Sequence, residues 1–252
     1  MKKHIKKLCQ KALWLRRETW KMFFKKGEAH LGGSFSMIET LLFVYEKMLK
    51  KEDIFILSKS HSSYPLCILL RKKGLKTKIT THLELDKKNG VNCTSGSLGH
   101  GLPIAAGYAF AKKMLNKKGK VYVVISDGEC QEGTTWETFL ICNKLKLSNL
   151  IIIVDYNKIQ ALSFLKDGLP IENLSKKIQS FNLNSINIKN GHSFDEISKG
   201  FKKIKNSTKT SVIILNTIKS KGIKEFENNP VWHAKKISDQ DYKIGIKRLG
   251  IR

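Results

Sequence analysis

Two runs of consecutive apolar, mostly β-branched residues constrain the fold of this chain more than any other feature. Residues 121–125 are followed by Ser126-Asp127-Gly128, and residues 150–154 by Asp155-Tyr156-Asn157. A run that is apolar at every position is typical of a strand buried on both faces, as in a parallel sheet covered by helices. Helical patterns separate the runs. The sequence therefore predicts an α/β fold, with a mostly parallel sheet between two helical layers, as a single domain over residues 1–252.

The rest of the pattern agrees with this fold. Residues 184–188 and 212–216 are predicted as further strands, with a helix near 194–205 between them. A second helix is predicted to be capped by Ser34 or Ser36 and to continue to about residue 49. The other predicted helices cover residues 6–25, 63–73, 101–115 and 132–145.

The net charge of +26 comes from lysine, since the chain has 42 lysines and five arginines. A protein selected to grip phosphates or read bases would hold more arginine, whose planar fork binds them bidentately. The skew favours a biased coding sequence, so we expect no nucleic-acid partner. Apolar runs stay well short of the roughly 20 residues that a membrane helix needs, and we expect no membrane association. Five scattered cysteines indicate reduced thiols and a cytoplasmic protein.

Asp127 and Asn157 follow neighbouring predicted strands and are 30 residues apart. Ligands bind beyond the carboxyl ends of parallel strands, where these side chains would meet. Carboxylate and amide oxygens suit Mg²⁺ or Ca²⁺, and Gly128 would let the backbone approach a phosphate closely. The alternative is that Asp127 caps the next helix and Asn157 closes a turn. The spacing alone leaves both interpretations open.

Four of the seven histidines stand in polar or glycine-rich settings, where imidazoles can bind sugar hydroxyls and oxyanions and relay protons near pH 7. They are His30, His61, His82 and His233. The turn at residues 96–101 is a possible anion cradle before a helix. It is not a GxGxxG sequence and no strong predicted strand precedes it, so a nicotinamide-binding fold is disfavoured.

Together these residues resemble the amino-terminal, diphosphate-binding domain of transketolases, which use thiamine diphosphate. The resemblance runs from about residue 10 to residue 250. Asp127-Gly128 with Asn157 is similar to the family's Gly-Asp-Gly…Asn cofactor motif, with Ser126 replacing the first glycine. The other matching blocks are residues 29–34, 57–61, 94–101, 149–159 and 226–233. The last block favours the branch in which the enzyme is split into two chains.

The resemblance implies a three-layer, thiamine-diphosphate-binding fold and a cofactor site. Asp127 and Asn157 would bind Mg²⁺ (or Ca²⁺) through side-chain oxygens, and Ile159 through its carbonyl. The metal would bridge the two phosphates of thiamine diphosphate. The further cofactor contacts would come from His61, Gly96, Ser97, Leu98, Gly128, Glu129 and His233.

The resemblance also implies a reaction, the transfer of a two-carbon ketol unit from a ketose phosphate to an aldose phosphate, as in the pentose phosphate pathway. His30, His82 and His233 would line the substrate channel, and Glu132 would lie at an interface between chains, linked to an activating glutamate across it. Because the match covers only the first transketolase domain, we expect a separate partner chain with the pyrimidine-binding domain, in an α2β2 assembly.

Other interpretations remain open at this stage. The chain could be the α-type subunit of a 2-oxoacid dehydrogenase E1, a half-enzyme of specialised sugar biosynthesis, or a non-catalytic relic of a cofactor-binding protein. The blocks around His30 and His233 favour transketolase over the first of these. The sequence departs from the family at His100, Lys158 and Ala234, and none of these changes removes a predicted metal ligand.

Overall fold

A parallel sheet forms the centre of the molecule, as the apolar runs predicted. The computed structural model describes residues 2–27, 30–161 and 163–251. Its strands are β1 (Ile54–Leu57), β2 (Val121–Ser126), β3 (Leu150–Tyr156), β4 (Asn184–Ile188) and β5 (Ser211–Asn216). All of these neighbours pair in parallel, in the order β1-β2-β3-β5-β4.

The α-helices connect and cover the strands. Within the described residues they are α1 (Lys2–Lys26), α2 (Leu31–Ser36), α3 (Ile38–Phe43), α4 (Tyr64–Lys72), α5 (Gly101–Met114), α6 (Gly133–Lys144), α7 (Leu174–Ser180), α8 (Phe194–Lys203) and α9 (Asp239–Leu249). None of these helices is long and apolar enough to cross a bilayer.

Alternate residues of the strands pack into two separate apolar layers. In β2, Tyr122 and Val124 belong to the layer that also holds α1, α3, α4 and α8. Val121, Val123 and Ile125 belong to the layer that holds α5, α6 and α7. Because both faces of the sheet are buried, its central strands are apolar at consecutive positions, which confirms the three-layer α/β class.

The register of the strands brings three chain segments together at one edge. Ser126 pairs with Asp155, and Asp155 pairs with Leu215. The Thr217 backbone N–H donates to the Tyr156 carbonyl at 3.1 Å just beyond the last pair. The residues that immediately follow β2, β3 and β5 therefore meet at the carboxyl edge of the sheet.

The second predicted helix differs from the prediction. The segment is divided at Met37 into α2 and α3, and a π-helical turn (Val44–Met48) follows. Ser34 and Ser36 lie inside α2 rather than at its cap, which is His30. Ser36 Oγ donates to Asp155 Oδ2 at 2.5 Å, so this hydroxyl serves a tertiary contact. The sequence pattern did not predict β1, α7 or α9.

Candidate functional site

Asp127 and Asn157 lie at the same edge of the sheet, as their spacing predicted. Asp127 Oδ2 accepts a hydrogen bond from the Lys158 backbone N–H at 2.5 Å, which joins the end of β2 to the residue after Asn157. Asp127 Oδ1 accepts from the Gly128 N–H at 2.9 Å, and Asn157 Oδ1 accepts from the Ile159 N–H at 3.1 Å. The local hydrogen bonds expected if Asp127 caps a helix and Asn157 closes a turn are thus present. Each of these side-chain oxygens keeps a further lone pair that can bind a ligand.

Asp127 is buried beside a second carboxylate. Burial first, and then the charge of Asp155, raise the pKa of Asp127 to about 7, against the opposing effects of the Lys158 N–H, Lys59 and Lys219. A buried carboxylate whose ionised form is disfavoured in this way gains most from a bound cation. The surroundings of Asp127 therefore suit a divalent metal.

The oxygen donors at this edge fit Mg²⁺. Among the described residues there is no cluster of three or more His, Cys, Asp or Glu side chains suited to a metal. A metal here would use the mixed set of Asp127, Asn157 and the Ile159 carbonyl, which are all hard oxygen ligands. A Cβ added at Gly128 would meet no atom outside its chain neighbours closer than Ser126 Oγ, at 3.9 Å, so the backbone of Gly128 is not covered by other segments.

Lys59, which the sequence reasoning missed, is fully buried in the same site. Its Nζ donates to Asp155 Oδ2 at 2.5 Å and to the Gly33 carbonyl at 3.0 Å. Thr217 and Ser36 donate hydroxyl hydrogen bonds to the same carboxylate. Although burial opposes it, Lys59 and these hydroxyls lower the pKa of Asp155, which is therefore the ionised partner of Lys59.

Lys219, the second missed residue, is 1% exposed. Its Nζ donates to the carbonyls of Ile159 and Gln160 at 2.9 and 2.7 Å. It also lies 3.1 Å from His233 Nδ1. These three acceptors match the three protons of an ammonium group. The carbonyl predicted as a metal ligand, that of Ile159, therefore shares its lone pairs with Lys219.

His233 is held as a neutral imidazole. Burial, followed by the charge of Lys219, lowers the pKa of His233 to about 3. Because Nδ1 accepts from Lys219, the ring proton belongs on Nε2. His233 can therefore donate a hydrogen bond through Nε2, which suits recognition of a hydroxyl or an oxyanion.

Three of the four predicted histidines form one cluster. The ring centroids of His30, His61 and His233 are 5.4 to 5.8 Å apart. Burial, and then Lys59, lower the pKa of His61 well below its usual value. His82 lies outside this cluster and is exposed, but a Cβ on Gly96 would lie 2.5 Å from its Cδ2.

The glycine turn is tied to the sheet by Glu129. Glu129 Oε1 accepts from the Gly99 N–H at 3.1 Å and from the Ser58 hydroxyl, while Oε2 accepts from the Ser126 N–H at 2.8 Å. Both carboxylate oxygens are thus engaged in contacts between the turn and the ends of β1 and β2. The structure gives Glu129 a positioning role, and its contact with a cofactor stays a prediction.

The exposed side of the glycine turn lies beside the start of α6. Gly99 has a φ of +80°, and a Cβ added there would lie 2.8 Å from Glu132 Cβ. Glu132 and Ser97 are exposed, and Leu98 is half-buried. The interface position of Glu132 stays a prediction.

Two adjacent glycines in α2 make room for the buried lysines. A Cβ on Gly32 would lie 2.5 Å from Lys219 Cε, and one on Gly33 would lie 3.2 Å from Lys59 Nζ. This close approach explains why the block at residues 29–34, which begins at a residue outside the described ones, carries two glycines after its histidine.

A cleft of about 1220 Å³ lies elsewhere, near the amino ends of the strands, and its lining includes Lys120, Asn149 and Phe201. It contains none of the predicted site residues. The chemistry-bearing side chains converge at the opposite edge of the sheet.

Lys219 could have been predicted in the same way as Asp127 and Asn157, from its position after a strand. It follows the predicted strand at residues 212–216 by three positions, together with Thr217, so the strand-end rule applies to it. Lys59 follows β1, which the sequence reasoning did not identify as a strand. Both residues are also hard to distinguish among 42 lysines.

Comparison with protein families places this geometry in a known group. Residues 22–252 match the model described as "Transketolase, thiamine diphosphate binding domain". The chain belongs to the transketolase family. The resemblance drawn from the sequence motifs is therefore confirmed.

Relatives within the transketolase family include subunits of comparable length. A subunit of the apulose-4-phosphate transketolase from Actinobacillus succinogenes is 33% identical over 241 residues, which cover 87% of each chain. A 6-deoxy-6-sulfo-D-fructose transketolase subunit from Clostridium sp. is 31% identical, over 93% of each chain. Human transketolase is 31% identical over 199 residues, which are 73% of this chain and 31% of the human protein.

Solved transketolase structures share the fold. The crystal structure from Campylobacter jejuni matches with a TM-score of 0.86 and 27% identity, over 96% of this chain and 42% of that one. The Leishmania mexicana enzyme matches with a TM-score of 0.88. The chain thus corresponds to about two-fifths of these transketolases.

Proposed function

We propose that this chain is the diphosphate-binding subunit of a split, thiamine-diphosphate-dependent transketolase. The observation that carries the proposal is the convergence of Asp127 and Asn157 with the histidine cluster and two buried lysines at the carboxyl edge of the sheet. Two relatives named as transketolase subunits match this chain over nearly the whole of both lengths. The activity is the transfer of a two-carbon ketol unit from a ketose phosphate to an aldose phosphate.

Asp127, Asn157 and the Ile159 carbonyl would hold Mg²⁺, and the metal would hold the diphosphate of the cofactor. Thiamine diphosphate supplies the carbon nucleophile that no protein side chain provides. Lys219 adds positive charge beside the metal ligands, whereas the charge of Lys59 is paired with that of Asp155. In this way the chain orients the cofactor and compensates the charge of its phosphates.

Two of the clustered histidines, His30 and His233, would bind the sugar, and His61 would contact the diphosphate of the cofactor. His233 donates through Nε2, because its Nδ1 faces Lys219 and its lowered pKa keeps the ring neutral. Neutral imidazoles can exchange hydrogen bonds with successive hydroxyls of a ketose and relay protons between them. His30 completes the cluster, and His82 would contact substrate from the rim beside Gly96.

A second chain would complete the site. Glu132 is exposed at the start of α6, where it can meet a partner that carries the pyrimidine-binding domain. The names of the two relatives support a split enzyme, and an α2β2 assembly is the simplest arrangement. We place the protein in the cytoplasm, in agreement with its five free cysteines.

The assay uses this chain, the product of the neighbouring reading frame, and both together. Ribose 5-phosphate serves as the common acceptor, so that every active donor yields sedoheptulose 7-phosphate. Xylulose 5-phosphate, apulose 4-phosphate and 6-deoxy-6-sulfo-D-fructose are compared as donors. We expect turnover only with both chains, thiamine diphosphate and Mg²⁺.

The comparison of donors distinguishes a transketolase that uses xylulose 5-phosphate from one that uses a specialised ketose. The relatives' names favour a specialised ketose over xylulose 5-phosphate. Full activity of this chain alone would contradict the split enzyme. A pair of chains that assembles yet neither binds thiamine diphosphate nor transfers from any donor would contradict the proposed function.

A further inference from the structure

The segment that carries Lys219 into the site is held at each of three successive residues. Thr217 Oγ1 donates to Asp155 Oδ1 at 2.5 Å. The Ile218 backbone N–H donates to His192 Nε2 at 2.8 Å. Lys219 then extends into the site. Of these three residues, Thr217 and Lys219 contact site residues, whereas Ile218 contacts His192, which lies outside the site.

His192 follows β4, and its two hydrogen bonds define which ring nitrogen donates and which accepts. Because its Nε2 accepts from the Ile218 N–H, its Nδ1 carries the ring proton and donates to Glu39 Oε2 at 3.0 Å. The ring is thus clamped on both nitrogens. His192 connects α3 to the segment after β5 without contacting the cofactor site.

Arg16 of α1 binds both Glu39 and the backbone two residues after Lys219. Its two terminal nitrogens donate to the two Glu39 oxygens at 2.7 and 2.9 Å. Its Nε donates to the Lys221 carbonyl at 2.8 Å. The backbone is therefore anchored at Ile218 and at Lys221, on both sides of Lys219.

The loop before His192 is packed too closely to move independently. A Cβ on Gly191 would lie 2.6 Å from Thr217 Cγ2 and 3.0 Å from the Asn216 carbonyl. The Gly191 N–H donates to that same carbonyl at 2.7 Å. A displacement of this loop would therefore move the residues after β5.

We propose that His192, clamped by Glu39 and Arg16, is a positioning residue that sets the backbone at Ile218 so that Lys219 reaches Ile159, Gln160 and His233. This inference rests on the proposed function, because the ordered Lys219 is useful only if a phosphate-bearing cofactor binds beside it. His192 acts through the chain, and it touches neither the cofactor nor the substrate.

The test measures thiamine diphosphate affinity by calorimetry with Mg²⁺, using the complex of this chain with its partner. His192→Ala is expected to weaken binding about tenfold, the effect of losing a buried, positioning hydrogen bond. His192→Gln can accept from the Ile218 N–H and donate to Glu39, so it is expected to restore most of the affinity. Thr210→Ala is the matched control, because Thr210 makes a buried hydrogen bond to the Leu147 carbonyl at 2.8 Å, at the opposite end of β5.

A second background isolates the route through Lys219. In Lys219→Met, His192→Ala is expected to cause no further loss, since residues that act through one another are not additive. If His192→Ala does not fold, His192→Asn replaces it in both backgrounds, because the shorter amide can reach Glu39 but not the Ile218 N–H.

Equal losses from His192→Ala and Thr210→Ala would overturn the inference. An undiminished effect of His192→Ala in the Lys219→Met background would overturn it too. If the wild-type complex binds no thiamine diphosphate, the proposed function fails as well, and this result is distinguishable because it precedes any substitution.

Discussion

At the scale of single residues, Asp127 couples the stability of the chain to its ligand. Its pKa is raised from 3.8 to about 7 by burial and by Asp155. The folded chain therefore binds this proton more tightly than the unfolded chain does. Its contribution to the free energy of unfolding is fully present below about pH 4 and is lost as the pH rises through about 7, by up to about 4 kcal/mol.

We expect Asp127→Asn to remove this part of the pH dependence. Without metal and cofactor, the free energy of unfolding of the variant relative to that of the wild type should rise by about 2 to 4 kcal/mol between pH 4 and pH 8. The hydrogen bond that the asparagine NH2 group cannot accept adds a constant difference at every pH. Urea unfolding of both proteins between pH 4 and pH 8 measures the difference, to which groups far from residue 127 contribute equally in both proteins. Parallel curves for the two proteins would contradict the shifted pKa.

The stability of the wild type relative to the variant should rise when ligands are added. Saturating Mg²⁺ and thiamine diphosphate stabilise only the protein that binds them, in proportion to RT ln(1 + [L]/Kd). We expect the wild-type complex to gain stability, and Asp127→Asn or Asp127→Ala to bind the cofactor at least about 100-fold more weakly, since a charged ligand is lost. Calorimetry with the partner present checks this, and wild-type affinity in either variant would rule Asp127 out as a ligand.

The residues of the site differ in how far the sequence could predict them. Asp127 and Asn157 were predictable because continuous apolar runs mark buried parallel strands and their ends. Lys219 follows a predicted strand by three residues and could have been located in the same way. Lys59 could not, because β1 was not predicted and a buried lysine differs from a surface lysine only in its tertiary contacts. The tautomer of His233 likewise depends on Lys219, which is 14 residues away in sequence.

At the scale of elements, α2 is defined by what it packs against. The sequence predicted a helix capped by Ser34 or Ser36, since serine caps helices through local hydrogen bonds. In the structure, Ser36 instead donates to Asp155, 119 residues away. Local capping rules could not find this role of Ser36, because the partner of its hydroxyl is distant in sequence.

Gly32→Ala tests the close approach of α2 to Lys219. The added Cβ would lie 2.5 Å from Lys219 Cε and 3.0 Å from the Trp232 carbonyl, so the buried lysine must shift. We expect the free energy of unfolding to fall by about 1 to 3 kcal/mol. Thiamine diphosphate binding, measured by calorimetry with the partner chain, is expected to weaken about tenfold through the displaced lysine.

Gly107→Ala is the matched control for this substitution. Gly107 also lies in a helix, α5, and a Cβ there would meet no atom within 4 Å. Alanine should raise the stability of the isolated chain by about 1 kcal/mol through helix propensity alone. If both alanine variants gained stability and bound cofactor normally, the packing explanation for Gly32 would be wrong.

At the scale of the whole molecule, the net charge of +26 is mostly a surface property. Lys59 and Lys219 are the lysines that the described residues bury, and both lie in the site. The three-layer class was predictable from the alternation of apolar runs and helices. The order β1-β2-β3-β5-β4 was not, because it depends on which strands pair across the sheet and on β1, which was too short to recognise.

The outer face of α6 is the surface on which the split-enzyme proposal can be tested physically. Leu140 and Ile141 are 58% and 49% exposed, on the helix that begins beside Glu132. Exposed apolar side chains on a helix that begins at the candidate site are expected to be buried by the partner chain. Burying one leucine contributes about 1.5 to 3 kcal/mol.

Leu140→Asp should therefore weaken association with the partner chain by roughly ten- to hundredfold. The free energy of unfolding of the isolated chain should change by less than about 0.5 kcal/mol, because Leu140 is exposed there. Leu13→Asp is the control, since Leu13 is 39% exposed on α1, in the opposite helical layer. Sedimentation velocity of each variant mixed with the partner measures the association. If Leu140→Asp assembled as tightly as the wild type, or Leu13→Asp weakened assembly equally, the partner would have to dock on another face.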